Sequence, residues 1–162
     1  MADTVAASEK PAVWAWFAAA GFILIGLLLI LFTYGKAVPV GYRWGAVAVW
    51  AVLTLAVGLI DKYLHPTKDS RAADIWTIVH GFAGVVFGLW FVPLWLIAAL
   101  TVLWEVFEYL VPGFGEKEIM LNRVIDVGIA LGLWTTVVLV VMLVQGGVSF
   151  PLAPPFHIPS LT

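Results

Sequence analysis

The chain has 162 residues, of which 63% are hydrophobic and 11% charged, against about 25% charged in an ordinary soluble domain. A soluble protein of this size has too much surface for its volume to hide that apolar content, and the same composition excludes a disordered chain. A net charge of −2 and the lack of any recognition motif argue against a nucleic-acid partner, and the absence of cysteine removes disulfides, thiolate chemistry and Cys-ligated zinc.

The N-terminal residues 1–12 carry Asp3, Glu9 and a single basic residue, Lys10. They do not read as a signal peptide, because the apolar run that follows is too long for an h-region and lacks a cleavage site. That run, 13–33, is uncharged and long enough to cross a bilayer, which takes about 20 apolar residues. Trp14 and Trp16 at its start suit an interfacial belt. A second span is expected over 42–60, ended by Asp61 and Lys62. The polar stretch 61–74 follows and must lie in water or headgroups. A third span over 75–91 and a fourth over 94–110 are separated only by a short turn at Pro93, so they should be antiparallel neighbours. A loop with Pro112, Gly113 and Gly115 leads to a fifth span over 123–144, and the tail 145–162 is rich in proline.

The sequence therefore predicts an all-α polytopic transmembrane bundle of five spans. With five crossings, one side holds Lys10, Lys62, Lys68, Arg71, Lys117 and Arg123, and the other holds Lys36 and Arg43. The excess of basic residues marks the first side as cytoplasmic. Residues 1–12 become a cytoplasmic segment, 13–144 the membrane domain and 145–162 an extracytoplasmic tail.

Ionisable residues inside spans are costly and are functional suspects. His80 lies in the third span. Glu105 and Glu108 share a face of the fourth, with Thr101 on the same stripe, and Asn122 and Asp126 share a face at the start of the fifth. At about 1.5 Å per residue, His80 sits roughly 9 Å in, Glu105 roughly 7 Å, and Glu108 and Asp126 roughly 4 Å. All four reach similar depth on one side.

Two chemical readings fit His80, Glu105, Glu108 and Asp126. One is a divalent metal site, since carboxylates with an imidazole suit Mn, Fe, Zn or Mg. The other is acid–base work on a lipid headgroup or phosphate, with Arg123 holding the anion. A third reading is purely structural, with Glu105 paired to His80 or Arg123 to lock the helices. Trp104 and Trp134 are deep enough to pack on a pigment, quinone or lipid, or simply to fill the interior. Gly84–Gly88, continued by Gly81, and Gly128–Gly132 form small-residue faces that suit helix packing inside the chain, a homo-oligomer or a protein partner. His65, beside Pro66 in the loop, could join a site but reads better as an exposed histidine, and His157 in the tail is a poor haem-ligand candidate.

Part of the chain resembles known families. Asp61, Lys62 and His65, then His80–Gly81, then Trp104–Glu105–Val106–Phe107–Glu108–Tyr109, Pro112 and Asn122–Arg123–Val124–Ile125–Asp126 with Gly128 follow the order seen in VanZ-like membrane proteins. The W-E-x-F-E-Y piece and the preceding H-G-F-x-G are also similar to the YjdF-like family of small bacterial membrane proteins. The resemblance covers residues 61–132. It departs at Glu108, where the VanZ-like pattern has Gln, at Gly113, where it has a basic residue, and at Ala130, where it has Asn. It implies a shared polar site on Glu105, Glu108 and Asp126 and a bacterial inner-membrane location.

Two functions compete on these grounds. One is a non-catalytic or accessory subunit of a larger membrane complex, respiratory or photosynthetic in type. The other is a small membrane enzyme or envelope-lipid factor that uses the His/Glu/Asp site with a divalent metal or by acid–base chemistry, in contact with bound lipid.

Overall fold

A computed structural model describes residues 12–64, 73–111, 119–148, 150 and 151 of the chain. Five helices follow one another: α1 (Val13–Thr33), α2 (Val40–Leu64), α3 (Trp76–Leu89), α4 (Leu94–Leu110) and α5 (Met120–Gln145). There is no strand among the described residues.

The expected five crossings are corrected by helix length. Three helices are long and apolar enough to span a membrane: Val13–Thr33, Val40–Asp61 and Met120–Gln145. Helix α3 has 14 residues and α4 has 17, which gives about 21 Å and about 25 Å against a hydrocarbon core of about 30 Å. Three crossings leave the same basic residues on each side as five, so the corrected count does not itself decide which side the N-terminus faces.

Local chemistry explains why α3 stops early. At its start, Asp74 Oδ1 accepts hydrogen bonds from the backbone N–H groups of Trp76 and Thr77, and Thr77 Oγ1 accepts one from the Asp74 N–H. This reciprocal cap fixes the first turn. At its end, the Phe91 N–H donates to Gly88 and the Val92 N–H to Phe87, the paired bonds of a Schellman ending. Phe91 sits there with φ of 54°, a left-handed position usually given to glycine. The Gly35 N–H donates to the Trp90 carbonyl at 3.1 Å, and a Cβ on Gly35 would come within 2.8 Å of the Phe91 Cβ. The bare backbone of Gly35 is what lets the α1–α2 connector lie against this turn.

The most extensive packing is between α3 and α5, and α2 packs on α3. The α3 glycines form the seam. A Cβ on Gly84 would land on the Ala130 carbonyl, and one on Gly88 would meet Val137 and the Trp134 carbonyl. Gly81 faces Ile129 and Leu133 in the same way. The glycine face of α3 is thus filled from within the chain, and nothing places it at an oligomer interface.

The apolar core lies at the end marked by the α3–α4 turn, where Val92, Leu96, Ile97, Trp134 and Val138 are sealed from solvent. Trp134 Nε1 donates to the Val92 carbonyl at 3.0 Å, and its ring meets Phe150 edge-on. The start of the tail folds back here too, with the Leu94 N–H donating to the Pro151 carbonyl. The outer faces remain apolar: Phe17, Val52, Leu143 and Val144 are among many large exposed hydrophobic residues. That is the surface of a helical bundle in lipid rather than in water. The hydroxyls of Thr33, Thr54, Thr135 and Thr136 each donate to the carbonyl four residues back, so they add no open polar group to this surface.

Candidate metal centre

The polar residues gather at the opposite end of the bundle from the apolar core. His80 is on the second turn of α3, Glu105 and Glu108 on the last turns of α4, and Asn122, Arg123 and Asp126 on the first turns of α5. The close α3–α5 seam brings His80 against Asp126, and the α4–α5 pairing brings Glu105 against Arg123.

One ligand atom from each of His80, Glu105 and Glu108 lies within 4.8 Å of the other two. Glu105 is buried, and His80 and Glu108 are partly buried. The two ring nitrogens of His80 face different acids. Nδ1 is 3.7 Å from Glu105 Oε1, and Nε2 is 4.0 Å from Asp126 Oδ2. Asp126 is 2% exposed and is held from its own helix by Asn122, whose Nδ2 donates to Asp126 Oδ2 at 3.4 Å. Buried Asn122 Oδ1 has no hydrogen-bond partner, so the polar cluster is not closed on itself.

Arg123 is buried and anchors the α4 side. Its Nη1 donates to the Glu105 backbone carbonyl at 2.9 Å and lies 3.7 Å from Glu105 Oε2. The Tyr109 ring lies 5.5 Å from the guanidinium carbon. Beside this pair a groove of about 320 Å³ runs between α4 and α5, walled by Val102, Val106, Val124 and Val127 with Glu105 and Arg123 in its lining.

Other expected site residues are placed elsewhere. The Trp104 ring stacks on Phe107 and meets Phe22 of α1, so it joins α1 to α4. Thr101 donates its hydroxyl to the Ile97 and Ala98 carbonyls of its own helix. Trp134 is a core residue. His65, His157 and Pro112 lie outside the described residues. Trp76, not singled out from the sequence, donates through Nε1 to Asp61 Oδ2 at 3.2 Å and ties the start of α3 to the end of α2. Its place two residues after the capping Asp74 was the available signal.

Comparisons with family models, with curated proteins and with solved structures found no match to this chain. What the described residues establish is a membrane helical bundle with a buried His/Glu/Glu cluster able to coordinate a metal ion.

Proposed function

We propose that the chain is a small membrane enzyme or envelope-lipid factor built on a divalent metal held by His80, Glu105 and Glu108. The observation that carries this reading is the approach of three ligand atoms, from two helices, to within 4.8 Å of one another. One imidazole and two carboxylates suit Zn, Mn or Fe. Three protein ligands leave coordination positions for water or substrate, and such an ion polarises a phosphoryl or carbonyl oxygen and activates bound water.

The chain's own residues divide the supporting work. Asp126 faces the ring nitrogen of His80 that points away from Glu105, the arrangement by which a carboxylate orients a ligating histidine. Arg123 holds the backbone and carboxylate of Glu105 in register. The surface of the α4–α5 groove is wholly apolar, which fits the hydrocarbon part of a lipid-like substrate lying beside the cluster.

We propose a bacterial inner-membrane location on the VanZ-like and YjdF-like resemblance alone, whose residues His80, Glu105, Glu108 and Asp126 lie in this cluster. The accessory-subunit reading drew on the glycine faces. Those on α3 are filled by α5, which moves the balance towards the metal reading.

The test is metal analysis of the full-length protein purified without chelator and reloaded separately with Zn, Mn and Fe. About one ion per chain is expected with at least one of these, and its loss in His80→Ala and Glu105→Gln. Folded wild-type protein that takes up none of the three, or variants that keep a full complement, would end the proposal.

A further inference from the structure

We infer that the end of the bundle opposite the His/Glu cluster carries a phosphate-binding site, built on Arg43 and the N-terminus of α2. Arg43 is 8% exposed, and its Nε is buried without a hydrogen bond. The guanidinium carbon lies 5.0 Å from the Tyr34 ring centre and 5.1 Å from that of Trp90. Trp44 packs edge-on against Trp90, and Trp90 Nε1 donates to the Arg43 backbone carbonyl. The cation is therefore held in place by ring faces, and its buried Nε–H finds no hydrogen-bond acceptor there.

No acid answers it. The ion pairs among the described residues involve His80, Glu105, Arg123 and Asp126, not Arg43. The sequence has no Asp or Glu between Glu9 and Asp61, between Asp74 and Glu105, or after Asp126. Asp61 is eighteen residues further along the same helix, about 27 Å away. The segments that meet at this end are the α1–α2 connector, the α3–α4 turn and the end of α5, and all of them are free of acids. Lys36, exposed in the connector, adds a second positive charge.

The helix start points to the same ligand. Pro39 precedes α2 and has no side-chain oxygen to cap it, and the first turn contains no acid. The first intrahelical bond runs from the Arg43 N–H to the Pro39 carbonyl. The N–H groups of Val40, Gly41 and Tyr42 have no protein acceptor among the described residues. Free N–H groups and the positive end of the helix dipole favour an anion. Helical side chains lean back towards the N-terminus, which brings the Arg43 guanidinium towards the same turn. Its planar fork suits the oxygens of a phosphate. Exposed Tyr42 and Trp44 are residues that favour the membrane interface, where phosphate is presented as a lipid headgroup as well as free in solution.

The experiment uses the full-length protein in a neutral detergent. Thermal unfolding is followed while phosphatidylglycerol, phosphatidylcholine or inorganic phosphate is added, and bound lipid is counted by native mass spectrometry. Preferential stabilisation by phosphatidylglycerol identifies a headgroup, and stabilisation by inorganic phosphate identifies the free anion. Either supports the site. Arg43→Met is expected to bind the active ligand at least about tenfold more weakly, the loss of a charge-assisted hydrogen bond, and Arg43→Lys to fall between it and wild type. Wild-type protein that gains nothing from phosphate and no more from phosphatidylglycerol than from phosphatidylcholine overturns the proposal without any variant. Undiminished binding by folded Arg43→Met overturns it too. If Arg43→Met does not accumulate, Arg43→Lys decides, and wild-type affinity in that variant counts against the site.

Discussion

Arg123 on α5 grips the backbone carbonyl of Glu105 on α4 at 2.9 Å, while the same guanidinium stands 3.7 Å from the Glu105 carboxylate. One side chain thus fixes both the position of helix α4 and the aim of the acid that faces His80. The contact between α4 and α5 is slight beside that between α3 and α5, so this clamp carries an unusual share of the α4 attachment.

Removing the clamp should be costly. Arg123→Met leaves the buried Glu105 carboxylate without its cation, and breaking a buried pair from one side typically costs about 3–5 kcal/mol. Thermal unfolding in detergent should show a markedly lower midpoint than wild type. Arg123→Lys, which keeps the charge but loses the fork, should fall in between. A methionine variant as stable as wild type would mean that the pair does not hold α4.

The glycines of α3 and α5 should respond oppositely to the same change. Gly84→Ala puts a methyl group on the Ala130 carbonyl, and the backbone there cannot step aside. Overpacking of this kind costs about 1–3 kcal/mol. Gly128→Ala and Gly132→Ala meet open space and should leave the unfolding midpoint unchanged or slightly raised, since alanine is the better helix former. Equal effects at Gly84 and Gly128 would contradict the α3–α5 seam.

Chelation offers a separate reading of the metal centre. An ion that binds only the folded state at about a hundred times its Kd adds about 2.7 kcal/mol of stability. Adding a membrane-impermeant chelator to the loaded protein in detergent should lower the unfolding midpoint, and readdition of the ion should restore it. Glu108→Gln should lose this response while keeping the helical circular-dichroism spectrum. A midpoint indifferent to chelator in the loaded wild type would count against a stabilising ion.

Trp134 makes a third kind of contact, a buried ring with its N–H on the Val92 carbonyl at 3.0 Å. Trp134→Phe keeps most of the apolar bulk and strands that carbonyl in the core, which costs about 1–3 kcal/mol. The midpoint should drop without change in metal content, because the ring lies at the far end from His80. Loss of metal in this variant would show that the two ends are coupled.

Much of the helical layout could be read from the residues. The limits of α1 and α4 follow from the uncharged run 13–33 and from the stretch between Pro93 and Val111. The grouping of His80, Glu105 and Asp126 follows from their shared depth. The length of α3 was misjudged because Trp90 and Phe91 continue its apolar pattern, and hydrophobicity carries no signal for a phenylalanine with φ of 54°. The turn it makes is packed against Gly35, more than fifty residues earlier. Arg43 entered the sequence reading only in the count of basic residues on each side. Its enclosure depends on Tyr34 and Trp90 arriving from two other segments, and periodicity along α2 cannot report that. The acid-free stretch from Lys10 to Ile60 was the visible clue.

The two ends of the bundle are joined by different kinds of force. Around the α3–α4 turn the attachment is contact between close-packed apolar groups, which tolerates almost no displacement. At the His80 end charge is added: ion pairs across 3.7–4.0 Å, whose attraction falls off gently with distance, stand beside the 2.9 Å bond from Arg123 to the Glu105 carbonyl. A change in the charge on Glu105 should therefore disturb the last turns of α4 before it reaches the first, where Leu96 and Ile97 are sealed in the apolar core.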